Sequence, residues 1–270
     1  MPSPAVPNPV LPSEQGGGCV PGTTSASPSW HRRARPLLGT LVEVAAEAAA
    51  PPSALEDAFS AIEQVQAALS RFEPGSDLGR FERLSAGQSL ALHPAGARAL
   101  RAAQALHTLT GGAFDVALGS GRWRCEGGRL WKLDAATRLD LGGLAKGHAV
   151  DRAVAALRRA GARAGWVNAG GDLRAFGAVQ LPLRLRDEGQ GGVRELGFLH
   201  EGAFATSHYG PGSRSRLFGA RENGGLCHVS VAAPRALWAD ALTKLVALDI
   251  DAVPPLLRRL GAQAWVHPNP

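Results

Sequence analysis

Cysteine is scarce in this 270-residue chain: Cys19, Cys125 and Cys227 lie far apart, are odd in number and form no C-x-x-C. Neither a disulfide framework nor a thiolate metal site is expected from that usage. Lysine is equally rare. Of the 29 basic residues only Lys132, Lys146 and Lys244 are not arginine. The arginines are scattered rather than blocked, so the net charge of +6 and pI near 10.0 do not make a nucleic-acid surface, and no nucleic-acid partner is expected. No apolar run approaches the roughly 20 residues that cross a bilayer, which argues against an integral membrane segment. The eight histidines contain no H-E-x-x-H and no His-x-His, so zinc is not expected. G-x-S-x-G is missing, and with it the signal for a nucleophile elbow. Repeats at solenoid periods are also missing.

What is abundant is glycine, with 34 residues, joined by 19 prolines. That composition speaks against an all-helical bundle and for a loop-rich α+β or α/β fold. Residues 1–34 are rich in Pro, Gly and Ser and poor in large apolar side chains, and read as a disordered leader. Residues 35–270 read as the folded domain. Arg32-Arg33 before PLLGTLVEVAA faintly resembles an export signal, but Glu43 and Glu47 interrupt the apolar run. A strand is the expectation there, and a cytoplasmic location the default.

Leu55, Phe59, Ile62, Val65 and Leu69 recur at three- and four-residue steps and predict an amphipathic helix. A second helix is expected from Ala95 to Leu109, stopped by Gly111-Gly112. Residues 138–177 read as strand, glycine turn, helix, strand, Gly-Gly-Asp turn and strand. The last third reads as strands around residues 179–187, 194–207 and 227–234, then a helix from about Leu237 and a final helix–strand pair.

Two constellations could carry chemistry. In DLGGLAKGHAVD a glycine turn opens a helix with Lys146 near its start, where free N–H groups and the positive helix end suit a phosphate. Its spacing matches neither the P-loop nor the dinucleotide fingerprint, so taken alone the turn reads first as plain strand-to-helix geometry. In WADALTKL Asp240, Thr243 and Lys244 share one helical face. A carboxylate and a hydroxyl there could hold a hard cation, while an exposed Asp–Lys pair is the plainer reading. The Asp and Thr-Ser positions of GGAFDVALG, NAGGDLRAFG and FATSHYG sit at glycine-bracketed strand ends, where a ligand can approach the backbone.

Taken in order, PLLGTLVEV, SRFEPGSDLGRF, TGGAFDVALG, LDLGGLAKGHAVD, WVNAGGDLRAFG, FATSHY and SVAAPRALWADALTK resemble the ApbE family of FAD:protein FMN transferases, over roughly residues 36–250. The resemblance implies an α+β, T-fold-related, two-lobed architecture with mixed or antiparallel sheets and a flavin cleft between the lobes. It implies Mg²⁺-dependent transfer of FMN from FAD to a Thr or Ser hydroxyl of an acceptor flavoprotein, with release of AMP. Two alternatives stand beside it: FAD held without transfer, and FAD hydrolysed to FMN and AMP.

Carried over by motif, the resemblance places Leu38, Thr40 and Phe72 beside the flavin. It assigns Ala113, Phe114, Asp115, Asp140, Lys146, Thr206 and Ser207 to FAD binding. Asp240 and the Gly143 carbonyl become metal ligands, and Asp240 and Lys244 catalytic residues. The chain departs from the family pattern in four places. Lys244 stands where the family has a metal-binding Thr, with Thr243 as a displaced substitute. His208 replaces a glycine. Arg216 and Gly219 fall within the remnant of a His-x-x-Asp-Pro segment, and the connection from Asp115 to Asp140 is short.

Overall fold

The computed structural model describes residues 29–186, 192–209, 227–248 and 253–268. Most of the expected leader and the segment around Arg216 and Gly219 lie outside them. The leader reading ends too late, however, because Trp30–Ala34 already belong to the first strand.

Strand β1 (Trp30–Leu37) and β2 (Thr40–Glu47) pair in antiparallel register from Trp30 opposite Glu47 to Leu37 opposite Thr40. The sequence reads here as one strand, whereas the structure folds it into a hairpin over Leu38-Gly39. Both turn residues have positive φ, 55° and 70°, as a tight two-residue hairpin turn demands. Leucine rarely adopts that conformation. Here its N–H donates to Gln66 Oε1 at 2.6 Å, which helps hold the turn.

Helix α1 (Ser53–Leu69) buries Leu55, Phe59, Ile62, Val65 and Leu69, the stripe expected from their spacing. A short α2 (Asp77–Glu82) starts where the Ser76 side chain accepts from Gly79 N. Next come β3 (Ser89–Ala91), α3 (Pro94–Leu109), β4 (Trp123–Glu126) and β5 (Arg129–Lys132). Helix α4 (Ala145–Arg159) leads into β6 (Gly165–Ala169) and β7 (Asp172–Phe176). After β8 (Leu181–Arg186), β9 (Val193–Leu199), β10 (Gly202–Tyr209) and β11 (Cys227–Ala233) the described chain closes with α5 (Ala236–Leu248), α6 (Pro254–Leu260) and β12 (Gln263–Pro268).

Seven strands form one antiparallel sheet in the order β1-β2-β6-β7-β10-β11-β12, with β3-β5-β4 and β8-β9 as smaller sheets. Side chains alternate across the large sheet. Val42, Val44, Ala203 and Ala205 face the helices in the main core, while Ala45, Trp166 and Phe204 join a smaller core on the opposite face. The architecture is α+β, as expected. Helix α4 lies between α1 and α5 and against β6 and β7. Gly147 makes the α4–α5 approach possible: a Cβ there would stand 2.2 Å from Ala236 O.

Candidate functional site

The start of α4, the turn into β7, the helix-facing side of β10 and the middle of α5 meet at two buried carboxylates and two partly buried ammoniums. Asp240 is fully buried. Its Oδ1 accepts from Lys244 Nζ at 2.5 Å, and its Oδ2 accepts from Gly147 N at 3.1 Å with Lys146 Nζ 3.7 Å away. The Lys146 ammonium also pairs with buried Asp172, 2.7 Å from Oδ2, as an ion pair rather than a well-directed hydrogen bond. Two ammoniums thus face two carboxylates. Burial without such pairing would be costly for either carboxylate.

The electrostatics follow from this pairing. Burial pushes the Asp240 carboxyl upward, but Lys146, Lys244 and the Gly147 N–H overcome it and hold the group below the ordinary carboxylate range. Burial and the neighbouring Asp240 raise Asp172 above it, despite Lys146 and Lys244. For Lys146, burial disfavours the ammonium, but Asp240 and Asp172 outweigh it and hold the pKa well above that of ordinary lysine.

A chain of hydrogen bonds continues from this quartet with a fixed direction. Lys244 Nζ donates to Asp240 O at 3.0 Å and more weakly to Ser207 Oγ at 3.4 Å. Thr243 Oγ1 donates to Asp240 O at 2.7 Å. Ser207 therefore donates across the 3.0 Å contact to Thr243, which also accepts from Tyr209 OH at 3.3 Å. One proton and two lone pairs are all a hydroxyl has.

That accounting tests the magnesium implied by the resemblance, and the donor set does not fit it. Thr243 has no lone pair left for a cation, contrary to the expectation that it is a displaced ligand. Asp240 already has a cation on one oxygen and two donors near the other. The aliphatic stem of Lys244 lies against Gly143, with Cε 3.3 Å from where a Cβ would be. Two added charges would also unbalance a neutral quartet. Among the described residues no group of three His, Cys, Asp or Glu side chains could hold a metal.

The other expected residues border this centre to differing degrees. Thr40 packs over Gly170, where a Cβ would lie 2.5 Å from Thr40 Oγ1, in the turn that delivers Asp172. Leu38 is half-buried beside it. Phe72 is 78% exposed, with the Arg71 guanidinium 4.6 Å from its ring centroid. Arg71 also lies 3.6 Å from Asp140, whose other carboxylate oxygen accepts from Gly142 N at 2.8 Å and shapes the glycine turn.

Three sets of the expected residues have partners within the protein. Phe114 is buried in the main core, so its ring is a packing element rather than a ligand surface. Both carboxylate oxygens of Asp115 accept backbone N–H bonds, from Ala117 at 2.8 Å and Gly119 at 2.9 Å. They fix the turn, while Ala113 stays exposed beside them. Thr206 and Ser207 cannot serve one site, because neighbours on a strand point to opposite faces. Ser207 turns toward α5, whereas Thr206 bonds Ser230 Oγ at 2.9 Å on the other face.

Two members of the centre escape the sequence reading. Asp172 stands out there only as part of a glycine turn. Tyr209, the single tyrosine of the chain, carries no spacing signal.

The ApbE family model matches residues 38–124 and 120–266. The chain belongs to the ApbE family. Its structure is similar to the flavin transferase ApbE of Vibrio cholerae, with a TM-score of 0.74 and 18% identity over 89% of this chain and 94% of that one. It is likewise similar to the apo flavinyl transferase ApbE of Pseudomonas stutzeri, with a TM-score of 0.74 and 21% identity over 90% and 92% of the two chains. The ApbE protein of Thermotoga maritima gives a TM-score of 0.71 and 20% identity over 88% and 94%. No curated protein matches the chain. Among the described residues no helix is long and apolar enough to cross a membrane.

Proposed function

We propose that this ApbE-family chain is an FAD:protein FMN transferase. FAD is the donor substrate, and a Thr or Ser hydroxyl of a flavoprotein is the acceptor. The acceptor oxygen forms the new bond to the FMN phosphorus as the bond to AMP breaks, and AMP leaves. Such chemistry asks a protein mainly to position its substrates and to neutralise charge on phosphoryl oxygens.

The observation that carries this reading is the Lys146–Asp172–Asp240–Lys244 quartet at the head of α4. Its lysines are not fully enclosed: 32% of the Lys146 side chain and 13% of the Lys244 side chain remain accessible. The Lys146 ammonium, held in place by Asp172 and Asp240, can meet an incoming pyrophosphate. Lys244 supplies fixed positive charge against Asp240 where the resemblance implies Mg²⁺. Exposed Phe72, with Arg71 over its ring, offers a flat apolar surface beside the Asp140 turn. Thr40 packs over the Gly170 turn that leads to Asp172, with Leu38 two residues before it.

The position of Lys244 on Asp240 also favours a second reading, in which the chain holds FAD and does not transfer FMN. One experiment separates the two. The full-length protein is incubated with FAD and an acceptor bearing a Thr or Ser flavinylation site, in EDTA and in Mg²⁺. AMP is measured by chromatography and the acceptor by mass spectrometry. The expected outcome is AMP equimolar with flavinylated acceptor. FAD bound yet intact in both conditions would establish the second reading.

A further inference from the structure

On the other side of the α4–α5 pair a cavity of about 310 Å³ opens between α3, α4, β7 and the start of α5. It is distinct from the quartet. Trp238, which lines it, lies two residues before Asp240, about 200° away around the helix axis. Five of its lining residues are arginines: Arg98, Arg152, Arg158, Arg174 and Arg235. The one carboxylate among the lining residues is Asp151, and both its oxygens already have partners. Its Oδ1 accepts from Arg174 at 2.6 Å and from Ala236 N at 3.0 Å, and its Oδ2 accepts from Leu237 N at 3.2 Å. Arg158 pairs with a well-exposed Glu201 at 3.4 Å and lies over the Phe176 ring, 4.8 Å from its centroid. Arg98, Arg152 and Arg235 have no acidic partner among the described residues.

Two polar atoms of lining residues, one turn apart on α4, are buried without a hydrogen-bond partner: Arg152 Nε and His148 Nδ1. They ask for different things. Arg152 Nε carries a proton and needs an acceptor. The His148 ring pairs through Nε2 with the Ala95 carbonyl at 2.7 Å, so the neutral ring carries its proton on Nε2, and burial lowers the imidazole's pKa. Nδ1 is therefore a lone pair that needs a donor.

We propose that this cavity is a binding site for a phosphate group. The class follows from the charges that line the cavity. Several guanidiniums, three of them with no acidic partner among the described residues, call for a multi-oxygen anion. A phosphate monoester brings up to two negative charges and three terminal oxygens to these guanidiniums, whereas a sulfate ester brings a single charge. The volume falls within the range of small-molecule sites, and the half-buried Trp238 indole offers a flat wall for an organic group attached to the phosphate. The site does not depend on the flavin-transfer reading.

The test is calorimetric titration of the full-length protein at pH 6, near the second pKa of a phosphate monoester, about 6. Phenyl phosphate is expected to bind saturably and at least tenfold more tightly than phenyl sulfate. Equal affinity for the two, or no saturable binding of phenyl phosphate at millimolar concentration, overturns the assignment. Inorganic phosphate distinguishes the sources of the same chemistry: tenfold weaker binding supports an organic monoester against Trp238, and equal binding supports the free ion. The double variant Arg98→Gln/Arg235→Gln alters two exposed side chains with no ion pair among the described residues, so its fold should stand. It is expected to lose phenyl phosphate affinity at least tenfold while FAD affinity is unchanged. Unchanged phenyl phosphate affinity in that variant would place binding elsewhere and overturn the proposal.

Discussion

Lys244 and Asp240 stand one helical turn apart on α5, and the ammonium of the first rests 2.5 Å from Oδ1 of the second, in a place where Asp240 is fully buried. Removing one partner of a buried pair costs about 3–5 kcal/mol, because the other charge is left uncompensated. Lys244→Thr should therefore destabilise the protein by roughly that amount in EDTA, discounted for the small access of Lys244 to water. The variant also frees an oxygen of Asp240 and uncovers Gly143. A divalent cation should then raise the melting temperature of Lys244→Thr and leave the wild type unaffected. Titration of both proteins with Mg²⁺, followed by calorimetry, checks this. An equal rise in the wild type would show that the lysine does not occupy the cation's place.

The close approach of α4 to α5 depends on the absence of a side chain at residue 147. In Gly147→Ala the new methyl would meet Ala236 O at 2.2 Å and Asp240 Cβ at 2.9 Å. The first of these is backbone and cannot swing aside. Overpacking of this kind costs about 1–3 kcal/mol, and the upper end is expected here. Urea denaturation measures it. The same displacement should lengthen the Gly147 N–H contact to Asp240, so FAD turnover is expected to fall together with stability.

The two carboxylates of the quartet should titrate in opposite directions from the ordinary value of 3.8. As pH falls, Asp172 takes up its proton first, above that value, and Asp240 keeps its charge to below it. The stability consequences have opposite signs. Asp240 contributes stability that is present above pH 3.8 and is lost as pH falls through its lower folded value. Asp172 opposes folding as pH rises from 3.8 to its raised folded value, with no further change beyond. Carboxyl-carbon NMR of the folded protein, compared with Asp172→Asn to assign the signals, should show the two midpoints on either side of 3.8. Two midpoints on the same side would contradict this balance of burial and pairing.

How far the sequence discloses this arrangement depends on whether the information is local. The α1 stripe from Leu55 to Leu69 repeats every three to four residues, and its burial follows directly. Asp240 and Lys244 are legible as neighbours on one helical face, but the same spacing serves an exposed pair. Their burial comes from β10 and α4, which are distant in sequence. Asp172 meets Lys146 across 26 positions and a turn between two strands, and no periodicity encodes that meeting. The hairpin at Leu38-Gly39 is hidden because leucine gives no turn signal, and positive φ there is supported by Gln66 from α1. The separation of Thr206 from Ser207 needs the register of β10, which fixes that Ser207 sits opposite Val229 and Thr206 opposite Ser230.

Phe72 tests the flavin reading with little risk to the fold. Its ring is exposed and contacts Arg71 rather than the core. Substitution of such a side chain changes stability by no more than about 0.5 kcal/mol, so Phe72→Ala should melt with the wild type. An aromatic ring that stacks on a flat ligand contributes about 0.5–1.5 kcal/mol beyond its buried area, which corresponds to a loss of a few-fold to tenfold in FAD affinity. Fluorescence quenching of FAD on titration with each protein measures this directly. Phe72→Leu separates apolar area from ring stacking: it should recover only part of the affinity if the ring stacks on the isoalloxazine. Unchanged affinity in Phe72→Ala would move the flavin away from the Arg71–Asp140 border and leave Leu38 and Thr40 as the surface against which it must lie.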